Sequence, residues 1–254
     1  MRYLKRAIII STLILSFLLC GQAYGQFTTS KSEIERSSRI DWLRAKVNNV
    51  RPENLDIQTF VECIADQLID VLPDEFDGLD WEIIVFEDES PNAYALMGGK
   101  IGVNTGIFKV AETPDALAAV IGHEIAHLTE DHVYERAQRH LAGEAIGIIG
   151  SAITRLPSTT RTATALAFTL PFSRSQETDA DIVGLRYMSL AGFDPRSTIN
   201  LWKNMSAQGD SQRSDFASTH PSDSRRLTDL VLNMTDSLVI LSKTEKKADS
   251  CIRN

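Results

Sequence analysis

The sequence predicts an α+β fold, predominantly helical, in a single domain with a short β-sheet whose hairpin edges a cleft. Three observations carry that expectation. Most of the chain repeats its apolar residues at the three- and four-residue spacing of amphipathic helices. One β-branched and aromatic run, WEIIVF from Trp81 to Phe86, stands apart from that pattern. Soon after it comes AYALMGGKIGVN, two short apolar runs joined by Gly98-Gly99.

Residues 1–25 begin with Arg2, Lys5 and Arg6, continue in an apolar core from Ala7 to Leu19 and end in Ala23-Tyr24-Gly25. That order predicts a secretory signal cleaved after Gly25, because the apolar core is shorter than the roughly 20 residues of a membrane span. An uncleaved N-terminal anchor and lipidation at Cys20 are the alternatives. Residues 26–254 are long enough to bury one core without covalent staples. The whole chain has 26 basic and 34 acidic residues, and the signal takes only basic ones with it. A surface this acidic is unsuited to nucleic acid and to anionic lipid. Export leaves Cys63 and Cys251 in an oxidising compartment, where a disulfide between them is expected.

From Ser32 to about Leu72, Ile34, Ile40, Leu43 and Val47, then Phe60, Val61, Ile64, Leu68 and Val71, recur at helical spacing on either side of Arg51-Pro52-Glu53. They predict two helices. Trp81–Phe86 predicts a strand, ended by the polar turn EDESPN. The two glycines of the next segment supply the positive φ angles of a tight hairpin, and an edge comprising Asn92, Ala93 and Tyr94 with Gly98 and Gly99 can take an extended peptide as an added strand. Thr113 as N-cap and Pro114 in the first turn start a helix that runs to about His132.

Residues 141–172 are apolar, rich in Gly and Thr, and interrupted by Glu144 and Arg155. They predict a core helix plus a mobile loop, with a membrane-touching or substrate-gating segment as the alternative. A further helix spans about Gln176 to Leu190, stopped by Gly192. Asp194-Pro195 starts another to about Met205, and STHPSDSRRL leads into a last amphipathic helix through Leu232. His132 and His140 read as surface residues.

Within AVIGHEIAHL, residues 119–128, His123 and His127 fall four apart, hence on one helix face. Two imidazoles at that spacing can chelate one zinc ion, and Glu124 can reach a water bound to it. Such polar groups are costly in an apolar helix unless a metal satisfies them. A third ligand is available in SRSQETDADIVG: Glu177, with Asp181 four residues on to accept the outward N–H of a ligating histidine, His123 in our reading. This leaves the fourth zinc position open, as hydrolysis requires.

Four segments then stand in order, PNAYALMGGKIGVNTGIF, HEIAH, SRSQETDADIVGLRYMSLAGFDP and STHPSDSRRL. Over about residues 75–230 they resemble the zinc metallopeptidases of family M forty-eight, the group of HtpX, the CAAX protease and OMA. The resemblance implies a gluzincin metallopeptidase domain and metalloendopeptidase activity with one Zn2+ per chain. It implies His123, His127 and Glu177 as ligands and Glu124 as the base. The chain is closer to the exported, periplasmic members tied to outer-membrane protein quality control. That implies misfolded or unassembled envelope polypeptides as substrates and outer-membrane assembly machinery as a partner. The rival is a zinc-dependent chaperone or assembly factor with latched proteolysis. In exported members a His-Pro histidine, here His220, can take the open zinc position as a latch; it can also donate to a developing oxyanion or be a plain loop residue. Arg226 matches the family pattern, either as a catalytic group or in an ion pair with an acidic residue near the cleft.

Overall fold

The structure is a computed structural model, and it describes residues 29–141, 171–207, 215–220, 224–245 and 251. The signal expected at 1–25, and all of the apolar stretch at 141–172 except its two ends, lie outside the described residues.

Helix α1 (Lys31–Asn48) starts at Ser30, whose hydroxyl accepts from the Glu33 amide while the Glu33 carboxylate accepts from the Ser30 amide. Two donors that the first turn leaves unpaired are thereby satisfied. Helix α2 (Leu55–Ile69) is capped by the Asn54 side chain and buries Phe60, Val61, Ile64 and Leu68. Both expected helices are present, but in α1 the apolar residues that revealed the helical period do not mark its buried face: Ile40, Leu43 and Val47 are 47%, 52% and 83% exposed. The buried stripe is Ile34, Ser38 and Trp42 instead. Trp42 decides the face, because its ring meets Phe86 edge-on at 6.0 Å and its indole N–H donates to the Glu82 carboxylate at 2.6 Å.

Strands β1 (Glu82–Phe86), β2 (Ala93–Leu96) and β3 (Lys100–Asn104) form a sheet ordered β1-β3-β2, with β1 parallel and β2 antiparallel to β3. Met97-Gly98-Gly99 closes the hairpin, with φ of +83° at Gly98 and +75° at Gly99, angles that a Cβ resists. Alternation along the strands sends Ile83, Val85, Ala95, Ile101 and Val103 into the main core, and Ile84, Phe86 and Leu96 towards Trp42. Each such Ile, Leu or Val contributes about 1.5–3 kcal/mol by leaving water. The order leaves β2 at an edge.

Helix α3 (Pro114–Thr129) has Thr113 as N-cap and Pro114 in its first turn. It stops at Thr129 rather than continuing to His132, because Asp131 takes φ +58°, a left-handed angle that aspartate tolerates better than most side chains. Residues 132–141 resume as α4. Helix α5 (Arg174–Leu190) carries a capping box between Ser173 and Gln176, and Gly192 follows its end at φ +90°. Helices α6 (Ser197–Ala207), α7 (Asp215–Thr219) and α8 (Ser224–Lys243) complete the described chain. Helix α8 runs past Leu232 because Leu230, Met234, Ser237 and Leu241 continue one inward stripe, in which the serine disguises the period. The Cys63 and Cys251 sulfurs are bonded at 2.05 Å, tying residue 251 to α2. Among the described residues no helix is long and apolar enough to cross a membrane.

Candidate functional site

Helices α3 and α5 touch backbone to backbone. A Cβ built on Gly184 would lie 3.1 Å from the His123 nitrogen and 3.2 Å from the Gly122 carbonyl carbon. Glycine inside a helix costs about 0.5–1 kcal/mol relative to alanine; here it permits the approach. Glu177, two turns before Gly184 on the same face of α5, is thereby brought against His123 and His127.

His123, His127, Glu177 and His220 each place a ligand atom within 4.8 Å of the others, and all four residues are buried. The Nε2 atoms of His123 and His127 lie 3.0 Å apart. His220 Nδ1 is 3.2 Å from His123 Nε2 and 3.1 Å from Glu177 Oε1. Glu177 oxygens stand 3.4 Å from His123 Nε2 and 3.6 Å from His127 Nε2. Hydrogens alone cannot satisfy this set, since His123 Nε2 faces three neighbours and a ring nitrogen carries at most one hydrogen. A single cation at the shared point satisfies all four donors, and two or three imidazoles with a carboxylate suit a divalent metal.

Around the donors stands a layer of buried groups. Asp181 Oδ1 is 3.1 Å from His123 Nδ1. Arg226 donates to both Asp181 oxygens at 2.7 Å and lies 2.7 Å from Glu177 Oε2, with its guanidinium 3.6 Å above the Trp202 ring. Arg226 is thus in an ion-paired position behind the donors. Phe172 stacks on His127 at 3.7 Å and Phe216 on His220 at 4.2 Å. His132 and His140 are buried, correcting the surface expectation. His132 Nδ1 lies 3.1 Å from His127 Nδ1. On one uninterrupted helix a residue five along faces away, and the break at Asp131 is what turns His132 back.

Burial and charge set the proton affinities. Burial opposes charge on His123, but Asp181 and Glu177 outweigh it and raise the imidazole to about 9. Burial pushes Glu177 up, yet His220 and His123 beside it hold the carboxyl well below the usual range. Asp181 is likewise pushed up by burial and held down by Arg226 and His123. His127 is lowered well below the usual imidazole value by burial, then by the charges of His123 and His220. Glu124 is raised, chiefly by burial. Its Oε1 is 3.3 Å from His220 Nε2 and has no hydrogen-bond partner among the described residues.

A cleft of about 390 Å³ opens onto Glu124 and His220, with Asn92, Tyr94, Ala95 and Leu96 of the β2 edge along it and Arg136 also lining it. Burial pushes the Tyr94 hydroxyl up to about 12, and Asn92 Oδ1 is buried without a hydrogen-bond partner among the described residues. Ala93 is fully buried; Gly98 and Gly99 form the hairpin turn and do not line the cleft. Sequence reasoning missed His132, Arg136, Phe172 and Phe216. Only His132 carried a signal, its nearness to His127, and that signal is readable only once the helix break is known.

A model of Peptidase family M48 matches residues 53–232. The chain is 40% identical over 152 residues to "Mitochondrial metalloendopeptidase OMA1" of Schizosaccharomyces pombe, covering 59% of this chain and 45% of that one. It is 34% identical over 150 residues to the Arabidopsis thaliana protein of the same name, covering 59% and 31%. To the "Beta-barrel assembly-enhancing protease" of Escherichia coli strain K12 it is 26% identical over 162 residues, covering 59% and 33%. The chain thus spans less than half the length of these relatives.

Proposed function

The chain belongs to Peptidase family M48, and on that footing we propose that it is a zinc-dependent endopeptidase cutting misfolded or unassembled polypeptides of the cell envelope. The observation that carries this reading is the convergence of His123, His127 and Glu177 on one point beside the Glu124 carboxylate. Zinc bonds nitrogen and oxygen at about 2.0 Å, and a tetrahedron of that size separates its donors by about 3.3 Å. Five of the six pairs among the four donors approach to 3.0–3.6 Å, and all four ligand atoms lie within 4.8 Å of one another. These residues therefore fit one zinc ion per chain.

When bound, zinc supplies Lewis-acid polarisation of the scissile carbonyl and acidifies the attacking water. Glu124, whose burial raises its proton affinity, accepts a proton from that water and returns it to the leaving nitrogen. The outer edge of β2 hydrogen-bonds the substrate backbone as an added strand. Asp181 fixes the His123 ring through Nδ1. Arg226 holds Asp181 and Glu177, acting by positioning. His220 serves as a latch, because its Nδ1 takes the fourth donor place; turned away, the same ring can donate to an oxyanion.

The four-donor closure also favours a second reading, a zinc-dependent chaperone or assembly factor with little proteolysis, and the likeness to the beta-barrel assembly-enhancing protease suggests outer-membrane assembly as its setting. The test is a pair of variants with unfolded casein and zinc. The peptidase reading expects Glu124→Gln to be inactive and His220→Ala to cleave faster than the unaltered chain. If neither the unaltered chain nor His220→Ala cleaves, yet both hold casein in solution, the second reading replaces it. We propose export to the periplasm, with an uncleaved anchor or a lipid at Cys20 as the alternatives. The likeness to mitochondrial OMA1 proteins points elsewhere, and intact mass of the mature chain separates these cases.

A further inference from the structure

Arg136 is 4% exposed and sits with its guanidinium carbon 3.9 Å from the Phe172 ring centroid. It lines the same cleft as Glu124, His220 and the β2 edge. Among the described residues no carboxylate lies within ion-pair distance of it, whereas Arg226, equally buried, is paired with two. Burial lowers its pKa only to about 10, because the charges of Glu124 and Glu177 oppose the shift from beyond ion-pair distance, so the group stays charged at neutral pH. A buried charge with no counter-ion in contact is an unfavourable arrangement, and the more distant Glu124 and Glu177 and the aromatic face of Phe172 offset only part of that cost. The arrangement becomes reasonable once the cleft is filled by something anionic.

Charge balance in the centre agrees. Three buried carboxylates, Glu124, Glu177 and Asp181, stand against two buried arginines and, on the proposed function, a dication. Asp41, which also lines the cleft, is paired with Arg44, so among the described residues one positive charge remains in excess. The net charge of the whole chain is −8, so its remote field disfavours acidic peptides. Any preference for them must come from a cation inside the cleft.

We propose that Arg136 is a specificity-determining residue whose guanidinium binds a carboxylate of the substrate peptide, supplied by an acidic side chain close to the scissile bond or by the free C-terminus. A planar guanidinium suits this, since it can meet a carboxylate through two parallel N–H donors.

This inference rests on the peptidase reading, and the two can fail separately. The probes are fluorescein-labelled peptides identical except for Glu or Gln beside the cleavable bond, each made as free acid and as amide. Their binding to the full-length, zinc-loaded Glu124→Gln chain is followed by anisotropy, alone and with Arg136→Gln or Arg136→Lys added. We expect the Glu peptide to bind about tenfold more tightly than the Gln peptide, the ratio to fall to about one with Arg136→Gln, and Arg136→Lys to keep part of it. If the free acid and amide are the pair that separates instead, the chain terminus is the carboxylate recognised. A ratio of one in the Arg136-bearing chain, for both pairs, overturns the proposal without any variant at that position. So does an Arg136→Gln chain that weakens all peptides in parallel, the result of a purely structural contact with Phe172. Cleavage of the same peptides by the unaltered protein tests the peptidase reading independently: cleavage without charge preference sinks the Arg136 inference alone.

Discussion

Gly184→Ala puts the crossing of α3 and α5 to a test in which two known effects have opposite signs. Alanine is the better helix former by about 0.8–1.0 kcal/mol, so on local grounds the variant should be more stable. Against this, the new Cβ would lie 3.1 Å from the His123 nitrogen and 3.2 and 3.3 Å from the Gly122 carbon and oxygen. All three are backbone atoms, which cannot swing aside as a side-chain end can. Overpacking of this kind costs about 1–3 kcal/mol. The difference is a net loss centred near 1 kcal/mol, or about 2–4 °C in melting temperature at this chain length. Restoring ordinary contact at 3.4 Å moves the helices apart by about 0.3 Å, a large share of the roughly 0.5 Å within which a ligand set must be held. Metal affinity should therefore fall as well, by about tenfold. Thermal melts of the metal-free protein read the first effect, and competition with a chromogenic chelator reads the second. A variant that melts higher and keeps its affinity would show that the glycines are not in enforced contact, and the account of how Glu177 reaches the histidines would fail.

Three further perturbations discriminate between structural roles. His132→Ala removes the group 3.1 Å from His127 Nδ1 and should weaken metal binding about 10–100-fold with unchanged helix content; unaltered affinity in the chelator assay would exclude a positioning role. Arg226→Met leaves the buried Asp181 and Glu177 carboxylates without their cation and should cost about 3–5 kcal/mol in urea unfolding of the metal-free chain, so a variant of unchanged stability contradicts the pairing. Trp42→Ala should cost about 3–5 kcal/mol, whereas Leu43→Ser, next to it but 52% exposed, should stay within about 0.5 kcal/mol. Equal losses would mean that α1 packs on the face its apolar spacing suggests.

What could be read from the sequence follows the range of the interactions involved. Thr113 before Pro114, Gly98-Gly99 and Gly192 announced a helix start, a hairpin and a helix stop because capping and positive-φ turns are decided within a few residues. His123 and His127 were legible because helical spacing alone puts them on one face. The failures are tertiary. Leu43 and Val47 fit a helical period as well as Trp42 does, and only the sheet surface formed by Ile84, Phe86 and Leu96 selects the tryptophan. The end of α8 was misplaced because a buried serine, Ser237, stands in for an apolar residue. His132 and Arg136 were hidden by one backbone angle at Asp131, which re-aims everything on α4.

The donors also differ in how firmly the fold holds them, and this bears on which of them can leave. His123 and His127 sit inside α3, buried from Ala116 to His127. Glu177 lies in the first turn of α5, fixed by a capping box, by Arg226 and by the contact at Gly184. His220 has none of these supports. It follows a five-residue helix, Asp215–Thr219, too short to persist by itself in water. Among the described residues its position depends on its backbone bond to Phe216, on that residue's ring, which stacks on the imidazole and packs against Trp202 at 5.8 Å, and on Phe172, whose ring lies 5.3 Å away and whose amide bonds the Thr219 carbonyl. A donor held by the Phe216 and Phe172 rings on a single helical turn can be exchanged without disturbing the crossing that holds the other three. The proposed latch therefore falls on the donor whose displacement costs least, and the place it vacates is next to Glu124, where the reacting water must stand.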